Sequence, residues 1–376
     1  MRVLRWLVSL LAAAATLAVV PRAVIARDAD SIFHGDLSVL IGRADQVANA
    51  VTSGVSTKDF STGSERFDGE WALGTHQMAI LGLSQLLLAN PKRTDLRDRW
   101  LPAIRRASDV LLDPQTRAFG TSAWNSDALD ALGEQTGRDA WLGYVGLALG
   151  LHRLIDPAFS HTDIHDRIVR SLKARIERSP TGLIATYPNE TYPVDNAACI
   201  AAIAVWGRST GINESSFVRS WVQAFEHNFV EPRSGFVRQA TDTPNVGTPR
   251  ASGTALTAYF LGFADDGPAR KLFSALKNHG DRDLLGFSTI REYPKGFEGT
   301  GDIDSGPVIL GASVSATGFA IASAKRFGDA GLFHRLHRTA ELFGMPYRGG
   351  RGKGFVVGGP LGDAILLAMD SAGAKQ

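Results

Sequence analysis

The sequence predicts an all-α protein in which six helical hairpins close into a ring, with apolar helices inside and amphipathic helices outside. Three observations predict this fold class. Apolar and charged helix-length segments alternate along the 376 residues, the apolar segments recur at a nearly constant interval, and strand signals are weak. An apolar helix must be buried on all sides, whereas an amphipathic helix needs only one covered face. Their alternation therefore indicates an inner ring of helices wrapped by an outer ring.

The apolar segments are rich in Ala, Gly and Leu and define an internal repeat. They begin near Glu70, Arg138, Val194, Arg250, Ser305 and Pro360. The first interval is 68 residues long, and the other four are 55 or 56 residues long. We interpret the stretch Trp124–Gln135 within the longer interval as an inserted loop. Small residues in the fifth segment favour close approach of inner helices, namely Gly311, Ala312, Ser313, Ser315, Ala316 and Gly318.

The charged segments predict the outer helices. They begin near Asp36, Thr94, Thr162, Ser215, Asp266 and Ala330. In the third of them Ile164, Ile168, Leu172 and Ile176 recur every four residues with charges between, which predicts an amphipathic helix. The same alternation also suits an open solenoid of stacked helix pairs, although six repeats favour a closed ring. Short runs such as Gly354–Gly358 suit small hairpins in loops.

This organisation resembles the six-hairpin (α/α)6-toroid superfamily, and the resemblance covers almost the whole chain after the N-terminal segment. The superfamily includes glycoside hydrolases, polysaccharide lyases, sugar epimerases and linalool dehydratase/isomerase. The resemblance implies an active-site cleft built by the loops that lead into the inner helices. It is a likeness of architecture, which does not determine the reaction.

Charge and cysteine content exclude several classes of protein. The 40 Lys and Arg residues nearly balance the 38 Asp and Glu residues, which argues against a nucleic-acid-binding protein. The single cysteine, Cys199, excludes a disulfide framework within the chain and a multi-cysteine metal site. Its apolar surroundings predict a small buried residue. We expect no cofactor and no metal.

The N-terminus predicts export. Arg2 and Arg5 precede the apolar run Leu7–Val20, and Val24–Ala26 offers small residues for cleavage. We expect a signal peptide in residues 1–26, a single domain in residues 27–376, a periplasmic or secreted location, and no stable membrane insertion after cleavage. The alternative is an uncleaved N-terminal anchor, although the run is short for a transmembrane span.

The loops that lead into the predicted inner helices carry the unusual polar residues of the chain. Carboxylates and arginines there suit the hydroxyl groups of a sugar, and aromatic faces suit the apolar faces of pyranose rings. The candidates for substrate binding are Asp68, Glu70, Trp71, His76, Trp124, Tyr187, Tyr192, Asn196, Arg250, Glu292, Tyr293 and Arg348. For each acid alone, helix capping is an equally good explanation. A hydrogen-bonded core residue is the alternative for His76, and a solvated loop is the alternative for Arg348.

Four acids are the candidates for catalysis, namely Glu190, Asp195, Asp302 and Asp304. Cleavage of a glycosidic bond needs one protonated carboxyl and one ionised carboxyl. We expect one acid from the third loop and one from the fifth, at separate places around the mouth of the ring. Asp302 and Asp304 are close enough in sequence to raise one another's pKa. The same spacing suits a hard cation, but too few fixed ligands accompany it.

Three functions fit these observations. The first is an exported glycoside hydrolase acting on an oligo- or polysaccharide with an Asp/Glu pair. The second is a lyase or isomerase, because Tyr187–Glu190 and Tyr192–Asn196 resemble the polar loop of linalool dehydratase/isomerase. That family relies on cysteines, whereas this chain has only Cys199, within a predicted helix. The third is a glycan-binding envelope protein without catalytic acids.

Overall fold

The computed structural model describes Trp6, Val20 and residues 25–133, 140–241, 247–303, 305–349 and 352–373. Within these ranges the chain is mainly helical. The α-helices are α1 (Ala29–Phe33), α2 (Leu37–Ser53), α3 (Glu65–Ala89), α4 (Thr94–Leu111), α5 (Ala118–Trp124), α6 (Leu142–Ile155), α7 (Thr162–Arg178), α8 (Pro193–Thr210), α9 (Ser215–Phe229), α10 (Ala251–Leu261), α11 (Asp266–His279), α12 (Val314–Arg326), α13 (Ala330–Gly344) and α14 (Gly359–Asp370). The strands are β1 (Asp281–Leu284), β2 (Phe287–Arg291), β3 (Val308–Ile309), β4 (Ala312–Ser313), β5 (Pro346–Gly349) and β6 (Gly352–Phe355).

The inner ring consists of α3, α6, α8, α10, α12 and α14, and it is closed. Each of these helices packs against the next one, and α14 packs against α3. The predicted toroid is therefore confirmed, because an open solenoid would leave its first and last repeats apart. The outer helices α2, α4, α7, α9, α11 and α13 alternate with them along the chain. All inner helices begin at one end of the ring, which we call the mouth.

The inner helices approach closely because they carry small residues where they meet. Gly143 of α6 lies against α8, and a Cβ atom added there would lie 2.6 Å from the Cys199 backbone nitrogen and 2.6 Å from its Sγ atom. Cys199 is completely buried. Glycine is thus required at position 143 by a close approach of two helices.

The outer helices are amphipathic, as predicted. In α7, Ile168, Leu172 and Ile176 are buried, while the charged residues Arg167, Arg170 and Glu177 are exposed. Of the described residues, α3 alone forms a helix long and apolar enough to cross a membrane, and 83% of that stretch is buried inside the protein. Its apolar character follows from its place in the inner ring.

The first and last hairpins are joined by a buried network of charges. The Arg43 guanidinium on α2 donates to Asp370 on α14, and its Nη2 atom lies 2.5 Å from Glu341 Oε1 on α13. Lys353 Nζ lies 2.6 Å from the same Glu341 oxygen, and His337 Nε2 lies 3.5 Å from Asp370 Oδ1. These contacts lie at the place where the ring closes.

Three predicted inner-helix starts differ from the structure, and the first of these helices begins at Glu65 rather than near Glu70. The fifth helix begins at Val314 rather than near Ser305, so Pro307 lies outside the helix. The intervening residues form β3 and β4 of a sheet ordered β1-β2-β4-β3, with a tight turn at Leu310 and Gly311, whose φ angles are 51° and 83°. The second helix begins at Leu142, and Arg138 lies outside the described residues.

The stretch Trp124–Gln135 was predicted to be an inserted loop between the first and second inner helices. Trp124 is the last residue of α5, and Asp130–Gly133 forms a 3₁₀ turn. The end of this stretch, from residue 134 on, lies outside the described residues. The connection is therefore longer than the others, as predicted, but part of it is helical.

Candidate functional site

The third loop brings a carboxyl group into the first turn of α8. A tight turn forms where the Glu190 amide donates to the Tyr187 carbonyl at 2.9 Å, and Asn189 adopts a φ of 63°. Pro193 then starts α8, because its fixed φ suits the first helical turn. Asp195 follows two residues later and points toward side chains rather than toward the free amides of the helix end.

Asp195 is held by two hydroxyl groups. The Thr186 hydroxyl donates to its Oδ2 atom at 2.5 Å, and the Tyr144 hydroxyl of α6 donates to its Oδ1 atom. The residue is 8% exposed, and burial raises the pKa of its carboxyl above the ordinary aspartate value, although both hydrogen bonds lower it. No side-chain cap was found at the start of α8, so the capping explanation does not apply to Asp195.

A second carboxylate lies close to the same loop. The Tyr187 hydroxyl donates to Glu70 Oε1 on α3. The pKa of Tyr187 is raised first by burial and then by the negative charge of Glu70, and Asp195 adds to the shift. Thr186 holds Asp195 and the next residue, Tyr187, holds Glu70, so neighbouring residues of the third loop bind the two carboxyl groups at the mouth. The phenol stays protonated and donates to Glu70.

Other residues of the third loop support this arrangement. The Arg66 guanidinium lies 4.4 Å from the centre of the Tyr187 ring and 3.6 Å from Glu190 Oε1. The Tyr192 hydroxyl donates to Glu190 Oε2 at 2.9 Å, and the Glu190 side chain is 41% exposed. Trp124 Nε1 donates to the Thr186 carbonyl at 3.1 Å. This bond fixes Thr186, whose hydroxyl donates to Asp195.

The fourth and fifth loops form a separate cluster around Arg250. Its Nε atom donates to Glu292 Oε1 at 2.7 Å, and its terminal nitrogens donate to Asp302. The Ser252 hydroxyl also donates to Glu292 Oε1, at 2.6 Å. Glu292 is completely buried and Arg250 nearly so. Tyr293 donates to the backbone of the same loop at 2.7 Å.

Asp302 differs from its predicted role. Burial alone would raise the pKa of its carboxyl, but hydrogen bonds from Arg250 and from the Ser305 amide outweigh burial and lower the pKa. The expectation that the pKa of Asp302 is raised by a neighbouring acid is therefore wrong. With a lowered pKa, Asp302 is ionised and unsuited to donate a proton. Asp304 lies outside the described residues.

Several predicted site residues lie away from the buried acid. His76 is completely buried, its Nε2 atom lies 2.9 Å from the Val55 carbonyl oxygen, and burial lowers its pKa. This is the core role given above as its alternative. The Asp68 carboxylate accepts from Thr62 Oγ1 at 2.8 Å. The Trp71 ring packs edge-on against the Phe60 ring, with 5.9 Å between the ring centres.

The Asn196 side chain bonds to the backbone rather than to the buried acid. The Asn196 side chain accepts from the Ile184 amide at 2.7 Å and donates to two backbone carbonyls, so it fixes the loop against α8. Arg348 belongs to β5, and its side chain is not described. The structure thus brings together Asp195, Glu70 and Tyr187 and leaves the Asn196 side chain outside that group.

The sequence did not identify Tyr144, which bonds the buried acid. The signal that identifies it is a single phenol among the apolar residues that precede His152 and Arg153 in helix α6. Asp363 of α14 was also missed. Burial raises its pKa to about 6, and its Oδ1 atom accepts from the Phe355 amide at 2.8 Å, so it faces the β5–β6 hairpin.

Within the described ranges, no group of three or more His, Cys, Asp or Glu residues could hold a metal ion. A groove on the outside of the ring, between the β1–β2 turn and α13, is lined by Arg335 and Arg338. We do not place the site there, because Arg335 is already paired with Asp281 at 3.1 Å and with Asp283 at 3.0 Å.

Comparison with known proteins supports the fold. No protein-family model and no curated protein matches the chain. Solved structures do match, and two of them are inactive variants of the alpha-1,6-mannanase GH76A of Salegentibacter sp. HEL1_6. One carries two consecutive aspartates changed to alanine and holds alpha-1,6-mannotetrose, with a TM-score of 0.51 and 13% identity. The other carries asparagines and holds alpha-1,6-mannotriose, with a TM-score of 0.52 and 12% identity. Each match covers 88% of this chain and 98% of the other.

Proposed function

We propose that this protein is a carbohydrate-active enzyme, a glycoside hydrolase whose proton donor is Asp195 and whose ionised partner is Glu70. The observation that carries the proposal is the buried Asp195 carboxyl with its raised pKa at the mouth of the ring. A carboxyl of this kind stays protonated at a pH where ordinary aspartates are ionised, as a general acid must.

The proposed reaction is hydrolysis of a glycosidic bond. Asp195 gives its proton to the leaving oxygen while the bond between that oxygen and the anomeric carbon breaks. The Glu70 carboxylate stabilises the positive charge that develops on the sugar, and it either attacks the anomeric carbon or removes a proton from the attacking water. The proton released from water restores Asp195. Tyr144 and Thr186 keep the acid in place throughout.

The choice of Glu70 as partner follows from the arrangement of acids in this chain. The mannanase variants are inactive with two consecutive aspartates replaced. The only consecutive aspartates here are Asp265 and Asp266, and Asp265 caps the outer helix α11. The residue after Asp195 is Asn196, whose amide is used by the backbone. The second carboxylate must therefore come from another part of the mouth.

The alternative reaction through a cysteine has little support in the geometry. Cys199 is completely buried, its thiol donates to the Ala140 carbonyl, and burial raises its pKa. A thiol in these surroundings stays protonated and is a weak nucleophile. Export to the periplasm or medium remains part of the proposal and rests on the N-terminal sequence.

The proposal is tested by incubating the protein with a panel of oligosaccharides, starting with alpha-1,6-mannotetrose, and measuring new reducing ends. We expect turnover by the wild type and a loss of about 10²-fold or more in Asp195→Asn and in Glu70→Gln. Glu226→Gln, on the outer helix α9, is the matched control and should keep full activity.

Other outcomes would decide against the proposal. If Asp195→Asn turns over substrate at the wild-type rate, Asp195 is not the proton donor. Binding of glycans without turnover, unchanged in both variants, would indicate the glycan-binding alternative. No response to any glycan would favour lyase or isomerase chemistry on another substrate.

A further inference from the structure

Large apolar side chains are exposed on one sector of the mouth, where α13 ends and α14 begins. We call them the apolar rim: Leu342, Phe343, Met345, Tyr347, Val356 and Val357. Phe343 is 65% exposed and Val356 is 62% exposed. Leu310, in the turn between β3 and β4 before the neighbouring inner helix α12, is 93% exposed.

The part of the mouth that holds the acids has a different surface. Before position 284, the described part of the chain exposes only Trp6, Val20 and Ile212 as large apolar side chains. None of these lies in a loop that leads into an inner helix. The mouth thus has a polar side, with Glu70 and Asp195, and an apolar side. Scattered exposed apolar residues need no explanation, whereas a cluster marks a surface that contacts another apolar group.

Backbone hydrogen bonds hold two residues of the apolar rim in place. The Val356 amide donates to the Met345 carbonyl at 3.2 Å, and the Val357 amide donates to the Gly344 carbonyl at 3.1 Å. Both valines are therefore fixed beside the end of α13 with their side chains exposed. A surface that is already ordered loses little conformational entropy when a ligand binds.

The apolar rim lies next to the proposed catalytic carboxylate Glu70. Helix α14 begins two residues after Val357 and packs against α3. At this contact, a Cβ atom added at Gly74 would lie 3.5 Å from Leu361 Cδ1. Gly74 follows Glu70 by about one turn of α3. Because packed helices lie about 8–10 Å apart, a group attached to a sugar at Glu70 reaches the apolar rim.

We propose that the apolar rim binds an apolar part of the substrate, so that the substrate is a glycoside that carries a hydrocarbon chain, as a glycolipid does. This inference rests on the proposed hydrolase activity. The sugar lies at Glu70 and Asp195, where carboxyl groups bind its hydroxyls, and the chain lies on the apolar rim. Each methylene group that is fully buried there strengthens binding about fourfold.

The test compares the octyl and methyl glycosides of alpha-1,6-mannotetrose, at concentrations below those at which the octyl glycoside forms micelles. Binding is measured by calorimetry with Asp195→Asn, which leaves the glycoside intact, and release of sugar is measured with the wild type. We expect the octyl glycoside to bind at least about 10-fold more tightly than the methyl glycoside. The kcat/KM of the wild type should be higher for the octyl glycoside by a similar factor.

A rim variant and a control show where the chain binds. The rim variant carries Val356→Ser and Val357→Ser together, and the ratio of octyl to methyl affinity should fall to about one. The control Ile212→Ser changes an apolar residue that is 46% exposed after the end of α8, at the opposite end of the ring, and it should keep the wild-type ratio.

The outcomes separate this inference from the hydrolase activity. Equal affinities for the two glycosides would overturn the inference, and so would a preference for the octyl glycoside that persists in the rim variant. Turnover of both glycosides at equal rates would leave the hydrolase standing without the chain site. Rim-dependent preference for the octyl glycoside, without release of sugar by the wild type, would overturn the hydrolase and support the chain site. Rim-dependent dimerisation in analytical ultracentrifugation, with no preference for the octyl glycoside, would show that a second copy covers the apolar rim.

Discussion

The charge network at the ring closure allows a quantitative prediction. Arg43→Met keeps most of the side-chain volume but removes the guanidinium that joins α2 to α13 and α14. Arg43, Asp370 and Glu341 are all at least nine-tenths buried. Removal of one partner from a buried ion pair leaves an uncompensated charge, which typically costs about 3–5 kcal/mol of stability.

The remaining contacts place this variant at the lower end of that range. Glu341 keeps Lys353 at 2.6 Å, and Asp370 keeps His337 at 3.5 Å. We therefore expect the free energy of unfolding of Arg43→Met to fall by about 3 kcal/mol at neutral pH.

The pH dependence follows from Asp370. Burial raises the pKa of its carboxyl, but the charges of Arg43 and His337 outweigh burial and lower the pKa to about 2. A lowered carboxyl pKa contributes stability above the unfolded value near 3.9, and this contribution is lost as pH falls through 2. It amounts to about 2–3 kcal/mol. The difference between wild type and Arg43→Met should therefore shrink below pH 4.

Urea unfolding followed by circular dichroism measures both effects. The matched control is Arg93→Met, since Arg93 forms an exposed pair with Asp95 at 2.7 Å, and it should leave the urea midpoint nearly unchanged. Equal midpoints for Arg43→Met and Arg93→Met would refute the reasoning, as would a difference that grows as the pH falls.

Two further predictions concern the site and the ring. In Tyr144→Phe, Asp195 loses a hydrogen bond that lowers its pKa, so the alkaline limb of the pH profile of kcat/KM should move to higher pH; a shift to lower pH would contradict this. Gly143→Ala places a methyl group 2.6 Å from the Cys199 Sγ atom and should cost about 1–3 kcal/mol in urea unfolding. The control Gly318→Ala meets no neighbouring atom, so it should stabilise the protein by about 0.5–1 kcal/mol.

The outer helices were predictable from sequence because their signals are local. Thr94, Thr162, Ser215, Asp266 and Ala330 all begin helices at the predicted positions. Caps and a four-residue apolar period are contained within a few turns, so no long-range contact is needed to recognise them.

The fifth inner helix and its acid were harder to predict because their determinants are distant in sequence. Polar residues before Pro307 look like a helix start, yet Val308 pairs with Ser313 in a hairpin instead. Asp302 appeared to be a proton donor, but Arg250, 52 residues earlier, holds it ionised. Sequence spacing shows which loops are polar but does not show which charges meet across the mouth.

The sequence of the third loop was enough to identify Asp195 as a candidate acid, but it did not identify the residues that bond to Asp195. The Tyr144 hydroxyl comes from another inner helix, 51 residues away, and Glu70 reaches the loop only through Tyr187. These contacts exist because the ring brings the starts of α3, α6 and α8 together. From the sequence alone, several acids are equally good candidates for the proton donor.

The most direct test of the account is an infrared titration of the carboxyl groups, comparing wild type with Asp195→Asn. We expect a protonated carboxyl band in wild type that persists above the usual aspartate range and is missing from Asp195→Asn. Asp363→Asn serves as control and should remove a different band that titrates near pH 6. Identical titrations of wild type and Asp195→Asn would mean that Asp195 is ionised like an ordinary aspartate, and would contradict its role as proton donor.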